Sequence, residues 1–224
     1  MAETTLTRTE ASAAVEDLGW RFLLGTIAVS VPVRTMLAAA ALASRVVDIC
    51  GDDADGHLRV DVRRDRVELM LRTHSAGGVT RRDVEMANAI TTALGLTALG
   101  PPTDVDRPVQ ALEIAIDAMD IEAVRPFWRA VFAYAEQGAG EDVELVDPAG
   151  QGPTVWFQQM DEPRRQRNRI HFDITVAHDE AERRVQAALA AGGVLVTDAY
   201  ARSFWVLADL EGNEVCVCTW QDRE

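Results

Sequence analysis

The chain has 224 residues, 48% hydrophobic and 26% charged, which fits an ordinary globular protein with one large domain or two small ones. A net charge of -14 leaves no basic face for nucleic acid and none for an anionic membrane surface. Three cysteines, Cys50, Cys216 and Cys218, lack CxxC spacing and do not form a disulfide framework.

The first residues, MAETTLTRTE, carry neither a basic nor an apolar leader region, and the richest apolar run, 31–50, is broken by Arg34, Arg45 and Asp48. The expectation is a reduced, cytoplasmic protein. Residues 9–18 read as a short helix with Val15 and Leu18 inward, ended by Gly19. WRFLLGTIAVSV suits one strand or two. Pro32 stands at a natural first helical position, and Val33, Met36, Leu37, Ala40 and Ala41 continue at helical spacing to about Ile49. GDDADG is a polar turn. Leu58, Val60 and Val62, then Val67, Leu69 and Leu71, alternate with polar residues and predict a hairpin through Arg64 and Asp65, with His74 ending the second strand.

Residues 72–90, RTHSAGGVTRRDVEMANAI, read as that strand end, a turn at Gly77 and Gly78, and a helix start. Thr80 caps the helix and Asp83 takes the capping-box position, with Val79 and Val84 as the hydrophobic staple. The helix runs to Leu94 and closes at Gly95. Residues 1–99 form one α+β domain, an antiparallel sheet covered by helices. GPPTDVDRP, 100–108, is the linker.

Residues 109–224 repeat internally. ALEIAID is a strand, Asp120 caps a helix with Ile121, Val124, Phe127 and Val131 as its apolar face, and VELVD and TVWFQQ are strands around Pro148-Ala149-Gly150. The pattern restarts at RIHFDITV. Asp179 opens a helix with Val185 and Leu189 inward, and GVLVTD, FWVLAD and EVCVCTW follow. Each copy is βαβββ, with Asp147-Pro148-Ala149-Gly150 matching Asp209-Leu210-Glu211-Gly212. No phosphate loop, HExxH or Ser-His-Asp order occurs.

Through DIEAVRPFW, DPAGQGPTVWFQQM, NRIHFDI and WVLADLEGNEVCV, the second half resembles the glyoxalase-like branch of the vicinal oxygen chelate superfamily. The resemblance implies paired βαβββ modules forming a half-barrel around a ligand cavity. It places metal-ligand positions at Glu113 and His171 on the first strands and at Gln158 and Cys216 on the last. No cofactor beyond such a divalent metal is implied. Without a metal, Glu113 and His171 serve as acid/base pair or ligand handle, Glu113 pairing with Arg169, Arg202 or His171. Trp156 and Trp205 are core or cavity wall and, with Gln158, the residues expected to bind a ligand, and Cys216 and Cys218 are also explained by strand alternation.

Through LRTHSAGGVTRRDVEMANAI, residues 6–94 resemble pterin-4a-carbinolamine dehydratase. The resemblance carries over His57, His74 and Asp83, and leaves Gly56 and Leu58 where the family has a histidine and a proline. The family reaction expels water from a carbinolamine and needs an acid and a base, which histidine supplies near neutral pH. Three functions follow. One is a lyase or isomerase acting in the second domain at Glu113 and His171. One is a metal-free binding or resistance protein, and one is a pterin dehydratase with an accessory domain. The expected partners are a small molecule and a second copy in a homodimer, with neither nucleic acid nor membrane.

Overall fold

The structure, a computed structural model, describes residues 4–96, 109–138, 140, 143–163 and 170–222. The linker expected at 100–108, and Arg169, lie outside the described residues. The chain divides into two units, Met1–Ala111 and Leu112–Glu224.

In the first unit, helix α1 (Arg8–Val15) is capped by Thr7, whose hydroxyl and N–H meet Glu10 in a capping box. A 3-10 turn, Glu16–Leu18, ends at Gly19 in the left-handed region. WRFLLGTIAVSV forms two strands, β1 (Arg21–Leu23) and β2 (Thr26–Pro32). Leu24 and Gly25 both have positive φ, 46° and 73°, the tight hairpin turn that matches strand twist. Pro32 therefore closes a strand instead of opening a helix. The helix α2 (Met36–Cys50) starts four residues later, capped by the Thr35 hydroxyl.

GDDADG is more than a turn. It holds a 3-10 turn and the one-turn helix α3 (Ala54–His57), which delivers His57 to the mouth of strand β3 (Leu58–Val62). Strand β4 (Arg66–Leu71) stops three residues short of His74, which lies in a separate 3-10 turn, His74–Ala76. Helix α4 (Arg81–Leu94) follows and ends at left-handed Gly95.

The sheet order is β1-β2-β4-β3, antiparallel throughout. Its registers line up Ile27 with Leu71 and Leu58, Val29 with Leu69 and Val60, and Val31 with Val67 and Val62. That apolar face is covered by α1, α2 and α4, with Ala11, Val15, Val46, Met86, Ala87 and Ile90 buried against it. Each fully buried Val, Leu or Ile there contributes roughly 1.5–3 kcal/mol. The buried Trp20 indole donates to Thr91 Oγ1 at 2.9 Å, so the start of β1 is fixed to α4.

The second unit contains β5 (Glu113–Ala118), α5 (Ile121–Phe132), β6 (Ala135–Gln137), β7 (Glu144–Val146) and β8 (Thr154–Gln159). The same plan returns in β9 (Phe172–Thr175), α6 (Ala181–Ala190), β10 (Val194–Thr197), β11 (Phe204–Ala208) and β12 (Glu214–Cys218). The helix opened by Asp120 stops at Phe132, because Ala133 turns left-handed and frees the chain to form β6. Asp179 does not cap α6. Glu180 is the N-cap, without a side-chain cap bond.

Both sheets have one topology, first strand parallel to last and the other pairs antiparallel, ordered β5-β8-β7-β6 and β10-β11-β12-β9. The repeat extends to atoms. Asp147 accepts N–H bonds from Ala149 and Gln151, and Asp209 accepts them from Glu211 and Asn213. One core joins the modules: Phe127, Trp128, Val131, Leu145, Val155, Val185, Leu207 and Val217 are buried together. The Trp128 indole donates to buried Asp209 at 2.9 Å, and Glu211 accepts the N–H groups of Met119 and Asp120.

Candidate active site

In the first unit, three chain segments converge on Asp83. α3 brings His57, Thr73 lies two residues beyond the end of β4, and α4 is opened by its cap Thr80 and by Asp83 in its first turn. Asp83 has no exposed surface, and Thr73 and Thr80 are 1% and 2% exposed. A carboxylate so buried needs compensation, and every available donor is used. Oδ2 accepts from the Thr73 N–H (3.1 Å), the Thr73 hydroxyl (2.8 Å) and the Thr80 N–H (2.7 Å). Oδ1 lies 2.8 Å from His57 Nδ1.

Donor counting assigns the histidine tautomer. Thr73 has one hydroxyl proton and gives it to Asp83, whichever of Thr73 Oγ1 (2.7 Å) and Asp83 Oδ2 (3.3 Å) takes the Thr80 hydroxyl proton. Thr73 Oγ1, 3.1 Å from His57 Nδ1, then offers that nitrogen only a lone pair. Both neighbours of Nδ1 are acceptors, so Nδ1 carries the proton and Nε2 is left to take or give one. The His57 side chain is 11% exposed, enough for its outer edge to meet a small molecule.

The surroundings hold this arrangement. The His57 carbonyl accepts the Arg72 N–H at 2.9 Å, joining the helix end to the strand end. Arg82 pairs with Asp53 and so ties the loop before His57 to α4. Gly77 takes a positive φ of 70°, which turns the chain from the His74 segment back to α4, and Arg72 donates to its carbonyl at 2.7 Å. His74 is exposed on the 3-10 turn beside α3. Gly56, next to His57, has open space where a side chain would stand.

The helix cap and the histidine contact therefore coincide at Asp83. The capping-box position was legible, but its second carboxylate oxygen serves His57, not His74. Thr73 was missed. Its only signal was its place beside a histidine at a strand end.

The expected residues of the second unit are dispersed. Glu113 is exposed at the start of β5, opposite Thr154, while Gln158 stands opposite Asp117. Four residues of strand separate those positions, about 13 Å, too far for one ion to bridge. Cys216 lies opposite Asp173, so its counterpart in the first module is Trp156, opposite Ala115. The four positions carried over from the superfamily thus do not assemble into one ligand set. Trp205 is half-buried against the core, whereas Trp156 is half-buried on β8. Arg202 pairs with Asp222, not with Glu113.

What the second unit does gather is His171, Asp173 and Cys216, whose donor atoms lie within 4.8 Å of one another. His171 Nε2 is 3.6 Å from Asp173 Oδ1. Burial and the neighbouring Asp173 carboxylate push the Cys216 thiol up to about 11. Asp173 was not singled out in the sequence, although HFD places it two residues after His171, the spacing of one face in extended chain.

An antiparallel sheet under three helices, with a histidine held by a buried aspartate at a helix start, defines one small α+β module, and the paired βαβββ unit defines a second. Residues 4–93 match the family of pterin 4 alpha carbinolamine dehydratase, and residues 113–218 match the glyoxalase-like domain. A Mycolicibacterium smegmatis protein that carries the name of pterin-4-alpha-carbinolamine dehydratase is 35% identical over 86 residues, 38% of this chain and 90% of that one. A Mycobacterium leprae protein of the same name is 33% identical over 93 residues, 41% of this chain and 98% of that one. The chain belongs to the pterin-4-alpha-carbinolamine dehydratase family through its first unit, and carries a glyoxalase-like domain as its second. Among solved structures, a glyoxalase/bleomycin resistance protein from Albidiferax ferrireducens is 16% identical with a TM-score of 0.39, covering 48% of this chain and 95% of that one. No helix among the described residues is long and apolar enough to cross a membrane.

Proposed function

We propose that the protein is a lyase of the dehydratase type, acting on a carbinolamine of a reduced pterin or a close analogue, with His57 as its proton-transfer group. The observation that carries this is the 2.8 Å contact between His57 Nδ1 and fully buried Asp83. Dehydration removes a proton from the ring nitrogen and delivers one to the departing hydroxyl, so that C–O breaks as C=N forms and water leaves. With Nδ1–H held by Asp83, His57 Nε2 is the base at the nitrogen. His74, exposed on the adjoining turn, is the acid at the hydroxyl.

Gly56 removes the first of two adjacent histidines that the family resemblance implies. One general acid or base is worth typically ~10²–10⁴ in rate, so the reaction here is expected to be slow for the family. The test is carbinolamine dehydration by the full chain, followed by absorbance. Acceleration over buffer that His57→Ala removes supports the reading, and an His57→Ala rate equal to wild type sinks it.

A second reading places small-molecule binding on the open face of β5 and β8. It is favoured by exposed Glu113, Ala115 and Gln158 beside half-buried Trp156, all pointing one way across the paired strands. A ligand that co-purifies and is lost in Trp156→Ala supports this reading.

A further inference from the structure

We propose that the second βαβββ module alone holds a site for a thiophilic divalent cation such as Zn²⁺, formed by His171, Asp173 and Cys216, with no ligand from the first module.

Strand geometry makes the convergence. His171 immediately precedes β9 and Asp173 is the second residue of that strand, the two-residue spacing that puts side chains on one face of an extended chain. β12 runs parallel beside β9, and its register sets Cys216 directly against Asp173. The three donor atoms, a nitrogen, an oxygen and a sulfur, lie within 4.8 Å of one another. Around zinc, bonds of about 2.0–2.3 Å put such donors closer together than this. The set must draw in by about an ångström. His171 and Asp173 can do so, because their side chains are 53% and 58% exposed and rotate without disturbing the core.

The donor set also selects the ion. Thiolate and imidazole favour zinc or cobalt over magnesium, calcium or manganese, which prefer oxygen. Three protein ligands leave a fourth position for water or a bound molecule, the arrangement of reactive rather than closed zinc sites. The thiol responds in kind. Cys216 binds a cation only as its thiolate, so the thiol proton has to leave. Binding exchanges that proton for the metal: Cys–SH and M²⁺ give Cys–S–M⁺ and H⁺, the proton passing to solvent.

This differs from the set carried over from the superfamily, which spans both modules. The β5–β8 register keeps Glu113 and Gln158 four residues apart, and Asp173 supplies the oxygen instead. The site is independent of whether the first unit is catalytic.

The test is titration of metal-free full-length protein with Co²⁺. One cobalt per chain should bind with a near-ultraviolet thiolate-to-cobalt band, displaced by Zn²⁺ and untouched by equimolar Mg²⁺ or Mn²⁺. Cys216→Ser should lose the band. His171→Ala and Asp173→Asn, both at exposed positions, should weaken binding at least tenfold. Glu113→Ala and Gln158→Ala should bind as wild type. The proposal is overturned by the absence of a band at millimolar cobalt or by its survival in Cys216→Ser. Equal loss in Glu113→Ala overturns it too, since that would restore a two-module site. If Cys216→Ser does not fold, unchanged affinity in His171→Ala overturns it as well.

Discussion

Two histidine–aspartate pairs in this molecule look alike in sequence and differ in construction. His57 and Asp83 are 2.8 Å apart, with the carboxylate wholly buried and its second oxygen filled by Thr73 and Thr80. His171 and Asp173 are 3.6 Å apart and both more than half exposed. The first pair is held in one geometry before anything binds, as proton transfer requires. The second is free to rearrange around an ion that supplies the organising charge itself. On the functions proposed here, the same two residue types would serve as a fixed acid–base device in one place and an adaptable ligand set in the other. Burial makes the difference.

The sharpest break of this contrast is at the two aspartates. Asp83→Asn should lower dehydration by about 10²–10⁴, because an amide cannot accept all the donors that hold the tautomer. Asp83→Ala should also destabilise the fold by about 3 kcal/mol, since it strands buried N–H groups and a buried partner. Asp173→Ala should stay within about 0.5 kcal/mol of wild type in the same denaturation experiment. Equal costs at the two positions would erase the distinction.

Next in size is Gly56→His. A Cβ there meets nothing within 4 Å, and the backbone φ is ordinary, so the fold should be unchanged. Returning an acid or base beside His57 should raise the dehydration rate by up to about 10². A folded variant with no gain would mean that Gly56 is not the limiting feature. Smaller again is Thr73→Val, which removes the hydroxyl shared by Asp83, Thr80 and His57 but keeps the backbone N–H bond. A loss of about tenfold in rate is expected, near the worth of one hydrogen bond to a charged group, with Thr73→Ser restoring most of it.

The smallest effect concerns pH. Burial raises the pKa of the Cys50, Cys216 and Tyr134 side chains in the folded chain. Between the unfolded thiol value of 9.0 and the folded value of about 11 for Cys216, the unfolded chain loses its proton and the folded chain keeps it. Stability is therefore fully present below pH 9.0 and declines as pH rises through that window. Denaturant unfolding at a series of alkaline pH values should show a shallow fall that Cys216→Ser flattens.

Much of the fold was legible because it rests on local chemistry. The alternation of Leu58 to Leu71, the Thr80–Asp83 capping box and the matched turns at Asp147 and Asp209 each follow from a few adjacent residues. Pro32 misled because a fixed φ suits a strand end as well as a helix start. The strand β6 was hidden because the helix period runs on through Phe132 and Tyr134, and only a left-handed Ala133 separates them. At the candidate sites, residue types were visible but partners were not. His57 and Asp83 are 26 residues apart, and Asp173 and Cys216 belong to different strands.

The sequence by itself determined the two-unit α+β plan, the doubled βαβββ and the presence of His57, His74 and Asp83, because periodicity, turn residues and motif spacing are local properties of the chain. Only the tertiary structure decided which carboxylate serves which histidine and whether Glu113, Gln158, His171 and Cys216 can meet. Those depend on strand register and burial. A shift of one residue in register carries a side chain to the opposite face, and no local pattern records how much water remains around it.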